Sequence, residues 1–201
     1  TQSPSSAASD VYKRQSRDPH VLANTVRGAN ASIATNSNDK ENLDEDLITS
    51  FISGGFTVGD NDSVNNGIVP DEYVAWAWKG GSTTVVNTDG GVGSNVSASA
   101  QSGFSVVSYI GVGANDTVGH GLGSIIDFMI VKNLTDDNTR PTVVFKDFDD
   151  RTSNFMYTTS RSGVRNTDNI WNNGFTASTF GISDSPLILS LIHISEPTRP
   201  F

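Results

Sequence analysis

The stretch EYVAWAWK, residues 72–79, decides the fold. In an extended chain successive side chains point to opposite faces, so Tyr73, Ala75 and Ala77 share one face and Val74, Trp76 and Trp78 the other. Both faces are apolar. Such a strand is either central and covered on both sides, or turned toward a partner. It ends at Gly80-Gly81, a turn signal. Core packing is the role expected of Trp76 and Trp78 in that setting. Tryptophan rings also stack on pyranose rings, but usually from exposed loops or a concave sheet.

Outward from this strand the chain alternates short apolar segments with turns. Residues 50–59 (SFISGGFTVG) have strand character around a Gly-Gly turn, and 60–67 is a loop of Asp, Asn and Gly. Residues 103–111 (GFSVVSYIG), 125–132 (IIDFMIVK) and 142–148 read as strands, with a weaker one at 153–159. Residues 111–123 hold five glycines, which favours turns with positive φ. Residues 32–48 are polar, and 170–182 carry Trp171, Phe175 and Phe180 between short turns. No stretch keeps a 3.6-residue apolar period. The expected fold is mainly β, an antiparallel β-sandwich or jelly roll with little or no helix.

Composition agrees. Of 201 residues, 35% are hydrophobic and 17% charged, while Ser, Thr, Asn and 19 Gly fill the difference. That is the balance of a turn-rich extracellular β protein, not of a helical enzyme. The net charge of −9 repels phosphate backbones and excludes nucleic-acid binding by charge. The absence of cysteine excludes disulfides, thiolate zinc sites and cysteine nucleophiles, so stability must come from core burial or oligomerisation. No apolar run approaches the roughly 18 residues of a membrane span, so no membrane insertion is expected.

Residues 1–15 (TQSPSSAASDVYKRQ) and 190–201 (SLIHISEPTRPF) resemble translated sequencing-adapter read-through. They are expected to be non-native flanks, so His193, Glu196 and Arg199 carry no functional weight. Between them lies a weak internal repeat: FTVG at 56–59 and FGIS at 180–183 each follow a polar segment, TNSND at 35–39 and TTSRS at 158–162. The expected organisation is the C-terminal part of a first β-sandwich module at 16–81, a linker at 82–102, and a truncated second module at 103–189.

Four strings carry a family resemblance: TVRGANASIATNSNDKE (25–41), FISGGFTVG with EYVAWAWKGG (51–81), GFSVVSYIGVGANDTVGHGLG (103–123), and FMIVKN with IWNNGFTASTFGIS (128–133 and 170–183). Together they resemble the repeated β-sandwich module of marine phage tail-fibre and virion structural proteins, whose modules are similar to concanavalin-like lectin sandwiches. The resemblance covers most of 16–189. The closing Tyr-Val-Ala-aromatic strand is absent from the second module. A lectin-like sandwich on a virion surface is implied, but neither a catalytic residue nor a ligand.

The chemical candidates are few. His120, in Gly119-His120-Gly121, is read as filling a glycine-rich turn and bonding neighbouring backbone. No G-x-S-x-G elbow accompanies it, and Gly119, Gly121 and Gly123 fit no phosphate loop. Asp147, Asp149 and Asp150 cluster after a strand, and Asp60 and Asp62 share a second loop. Several oxygens on one flexible loop suit calcium better than the paired carboxylates of a glycosidase, with solvated acidic turns as the plain alternative. Calcium is the cofactor such loops would take; no other is expected. Trp171, in the Asn-rich turn at 170–174, is the candidate for an exposed, ligand-binding aromatic.

The function expected is therefore that of a non-enzymatic virion or tail-fibre module at an extracellular surface. Its partners would be other virion subunits, as a homo-oligomer with a trimer among the states implied, and a host surface glycan or protein. The alternative is a secreted bacterial carbohydrate-binding or adhesion module.

Overall fold

Alternating short apolar segments do fold as strands. The computed structural model describes residues 18–67, 71–159, 163–166 and 169–188, with the backbone of 7–13. The first half holds β1 (Ala7–Lys13), β2 (Val21–Asn24), β3 (Gly28–Ala34), β4 (Asn42–Leu43), β5 (Ile48–Ile52), β6 (Gly55–Val58) and β7 (Tyr73–Lys79). The second holds β8 (Val85–Asn87), β9 (Ser94–Ser99), β10 (Phe104–Tyr109), β11 (Asp116–Gly119) and β12 (Phe128–Val131). It continues with β13 (Thr142–Phe145), β14 (Asn154–Tyr157), β15 (Arg165–Asn166) and β16 (Thr179–Ile182). Among the described residues there is no helix. The fold is mainly β and sandwich-like, and its strands pair antiparallel.

The first half is a five-stranded sheet, β4-β3-β2-β1-β7, with the β5-β6 hairpin packed on one face. Residue alternation explains the packing. Val21 and Ala23 of β2 point one way and meet Leu47, Ile48 and Val64, with Phe51, Phe56 and Tyr73 at the margin. The turns have local causes. Asn24 Oδ1 accepts the N–H groups of Val26 and Arg27, closing the β2-β3 turn. Gly54, at φ +85°, lets β5 fold back on β6.

The second half has the larger core. Val118 of β11 and Phe180 and Ile182 of β16 meet Val144 of β13 and Phe155 of β14, with Val107 and Tyr109 of β10 and Met129 and Val131 of β12 packed around them. Two sheet layers thus share one apolar interior. The Tyr109 hydroxyl donates to the Ile188 carbonyl at 2.6 Å, and burial pushes its pKa upward.

Polar contacts tie the halves together. Lys132 Nζ bonds the carbonyls of Asn38, at 2.7 Å, and Thr139. The Glu41 N–H reaches the Leu134 carbonyl, and Lys40 pairs with Asp137.

Three expectations need correction. Residues 82–102 are not a linker: β8 and β9 pair with β10. Small side chains make this possible, because Ser94 is buried with its Oγ donating to the Gly119 carbonyl, and little apolar area is needed there. Of the two segments expected as flanks, residues 1–15 contribute β1, which lies between β2 and β7 and pairs with both, while residues 190–201 lie outside the described residues. Trp76 and Trp78 are not core, being 51% and 41% exposed, because their strand is an edge.

The third is Trp171, expected at the surface but 0% exposed. Asn169 and Asn173 adopt positive φ, as does Gly174, and the Trp171 N–H bonds the Thr152 carbonyl. The turn therefore curls back and drops the indole into the core. It lies so close on β16 that a Cβ at Gly181 would fall 1.3 Å from the Asn172 carbonyl oxygen. Trp171→Ala is expected to destabilise the fold by about 3–5 kcal/mol, against about 1–2 kcal/mol for Trp76→Ala, as read from urea unfolding.

Candidate functional site: the tryptophan edge of β7

β7 emerges from the first core cluster at its start and overhangs it at its end. Tyr73 and Val74 are half-buried, whereas Ala75 to Lys79 are exposed. The Tyr73 hydroxyl anchors the start, donating to the Asp62 carbonyl at 2.7 Å and accepting the Asn66 N–H at 2.9 Å. At the other end Ser102 Oγ donates to the Lys79 carbonyl at 2.7 Å. Between these anchors Trp76 and Trp78 stand on one face, two residues and so about 6.6–6.8 Å apart along the strand. Trp78 stacks on Phe104 of β10, with centroids 6.0 Å apart and an interplanar angle of 17°, which fixes its ring plane. Two exposed indoles on one strand face, one of them oriented by Phe104, are suited to stack on the apolar face of a sugar ring.

A groove of about 420 Å³ lies near the end of the strand, lined by Thr25, Thr49, Ser50, Phe51, Thr83 and Thr84 among others. Thr25 Oγ1 is buried there and has no hydrogen-bond partner among the described residues. Hydroxyls around an aromatic floor again suit a polyhydroxylated ligand. A second cleft, of about 410 Å³, sits where the halves meet, with Asp39, Lys40, Glu41, Asn61 and Asp137 in its walls. Its carboxylates already have partners. Arg27 pairs with Glu41, and Ser37 donates to Asp39 at 2.7 Å. The backbone N–H and ammonium of Lys40 hold Asp137 below the usual carboxylate range. Burial lowers the nearby Lys132, against the pull of Asp136, Asp39 and Asp137.

The domain family with which the sequence aligns over residues 10–189 is DUF7483, described as a domain of unknown function. The chain belongs to the DUF7483 family. No curated protein and no solved structure matches it significantly.

In this DUF7483 chain the acids singled out in the sequence do not converge. Among the described residues no group of three or more His, Asp or Glu side chains is placed to hold a metal. Asp150 Oδ1 accepts from the Thr152 N–H and hydroxyl and from the Ser153 N–H, bonds that hold its carboxyl below the usual range. Asp147 and Asp149 are exposed; Asp147, with Asp127, offsets the charge of half-buried Arg151, whose guanidinium lies over Phe175 at 4.3 Å. Asp60 and Asp62 are exposed in a loop that Asn61, Asn65 and Tyr73 hold through backbone groups. With the cluster's oxygens so disposed, millimolar calcium is expected to leave the melting temperature unchanged; a rise would reveal a site.

His120 is 1% exposed, in the turn where it was expected. Its Nδ1 accepts the Leu122 N–H at 3.3 Å, and its Nε2 faces the Thr176 carbonyl at 3.4 Å. Burial holds its pKa below the ordinary 6.5, with the Thr176 carbonyl and Asp89 acting the other way. The unfolded chain therefore takes up this proton more readily than the folded one. The stability tied to neutral His120 is complete above about pH 6.5 and is lost as the pH falls through that value. Melting temperatures at about pH 7.5 and about pH 5 should show a larger acid loss for the native sequence than for His120→Asn.

Proposed function

We propose that this chain is a non-enzymatic structural module of a virion or tail-fibre surface that contacts host glycans through the Trp76–Trp78 strip. The observation that carries the reading is the exposure of two tryptophans on one face of an edge strand, in a chain with three tryptophans in all. Half-exposed indoles are costly to leave in water and are characteristic of recognition surfaces. The hydroxyl-lined groove near the strand's end supplies the polar complement a sugar needs. The virion setting draws on the resemblance of residues 16–189 to phage structural modules, and the Asn-, Ser- and Thr-rich composition suits an extracellular surface. The absence of catalysis is supported by the sealed position of His120 and by the ion pairs that occupy Glu41 and Asp137. Fold alone assigns none of this.

Retention on insoluble cellulose, chitin and agarose, and on purified bacterial surface polysaccharides, tests the reading. The native chain is expected to bind at least one of these. Trp76→Ala and Trp78→Ala should each weaken retention by about tenfold or more with the fold intact, equivalent to about 1.4 kcal/mol. Retention unchanged in both variants, or absent throughout, contradicts it.

A further inference from the structure

We propose that the outer face of the β12-β13-β14 sheet, a phenylalanine patch edged with aspartates, docks a cationic, apolar segment of a partner protein. This surface lies on a different sheet from the tryptophans and is independent of the glycan reading above.

The face follows from register. Directly opposed residues of an antiparallel pair point to the same side. Phe128 lies opposite Phe145, Ile130 opposite Val143, and Val143 opposite Met156. These five side chains share the outer face, while Met129, Val131, Val144 and Phe155 of the same strands pack into the core. The solvent side of an antiparallel sheet is ordinarily polar. Here all five residues are apolar. Val143 is buried and Met156 half-buried, but Phe128 is 49% exposed, Phe145 40% and Ile130 39%. The rings are also organised. Phe128 and Phe145 have centroids 4.9 Å apart, and Phe148, in the turn after β13, meets Phe145 edge-on at 5.5 Å. Scattered exposed apolar residues need no explanation, whereas a contiguous patch marks an interaction surface.

Charge and area select the occupant. Asp147 and Asp149 flank Phe148 in sequence and are exposed, and neither makes a hydrogen bond or ion pair among the described residues. Asp127, just before Phe128, pairs with Lys146 at 3.5 Å. This end of the patch therefore carries Asp127, Asp147, Asp149 and Asp150 against Lys146 and Arg151, a surplus of negative charge beside exposed rings. A second copy is the wrong occupant, because it brings the same surplus of acids to the contact. Three exposed side chains also fall short of the roughly 800 Å² that each partner of a stable pair buries. A guanidinium or ammonium is the right one. It can pair with Asp147 and Asp149 and lie over an exposed phenyl face, as Arg151 lies over Phe175 at 4.3 Å within this chain. Apolar side chains next to it would cover Ile130 and Met156. The fitting partner is a short segment in which Arg or Lys alternates with large apolar residues.

Fluorescence polarisation of the full chain with a labelled pentapeptide of alternating arginine and leucine tests this. Binding is expected. Replacing the arginines by glutamate should abolish it, and replacing the leucines by serine should weaken it by about tenfold. Asp147→Asn with Asp149→Asn, and separately Phe145→Ser, should each weaken it by about tenfold. Asp60→Asn with Asp62→Asn removes the same charge from an exposed loop of the first half and should change nothing. Circular dichroism checks that each variant is folded, and if Phe145→Ser is not, the aspartate pairs decide alone. No binding, equal binding of the arginine–serine peptide, or an equal loss in the Asp60 and Asp62 variant overturns the proposal.

Discussion

The close approach of the turn at 170–174 to β16 sets the larger core. Gly181 has no Cβ, and only that absence lets the Asn172 carbonyl lie against the strand. Trp171 then falls inward among Ile170, Phe180 and Ile182. With 35% hydrophobic residues and no disulfide, the chain has few large apolar groups from which to build a core. Putting its largest side chain inside therefore matters more here than in an aliphatic-rich protein. The indole Nε1 enters without a hydrogen-bond partner among the described residues, a cost of about 1–3 kcal/mol that the buried ring must outweigh.

The same scarcity gives the exposed tryptophans their significance. A chain with three indoles places one fully inside and leaves two half in water on a single strand face. Singly exposed apolar groups need no explanation, but a pair of indoles on one face of an edge strand does. A binding platform is the answer proposed above, because both indoles remain about half exposed even with Trp78 stacked on Phe104.

Much of the fold was legible. The strands at 73–79, 104–109, 128–131, 142–145 and 154–157 follow from apolar runs between turn residues, and the glycine-rich stretch does turn, with Gly113, Gly121 and Gly123 at positive φ. The backbone bonding of His120 in its turn followed from its glycine neighbours; its burial did not. What escaped was sidedness. Periodicity shows that both faces of residues 73–78 are apolar, but whether the strand is central or an edge depends on partners distant in sequence. Trp171 was misplaced for a related reason. An Asn-rich turn reads as surface, and its inward direction depends on positive φ at Asn169 and Asn173 and on a glycine further along at 181. The linker reading of 82–102 failed because β9 buries mostly small polar side chains, Ser94 and Ser97, around a single Val96, leaving little hydrophobic signal. Of the candidate site, Trp76 and Trp78 were singled out, but core packing was the role expected of them and their exposure was not legible.

The arrangement of the three tryptophans is the central claim, and iodide quenching of native tryptophan fluorescence tests it most directly. The account predicts two populations: a quenchable one that survives Trp171→Phe, and a protected one that remains when Trp76 and Trp78 are both replaced by Phe. Protected emission from Trp76 and Trp78, or ready quenching of Trp171 in the folded chain, would contradict it.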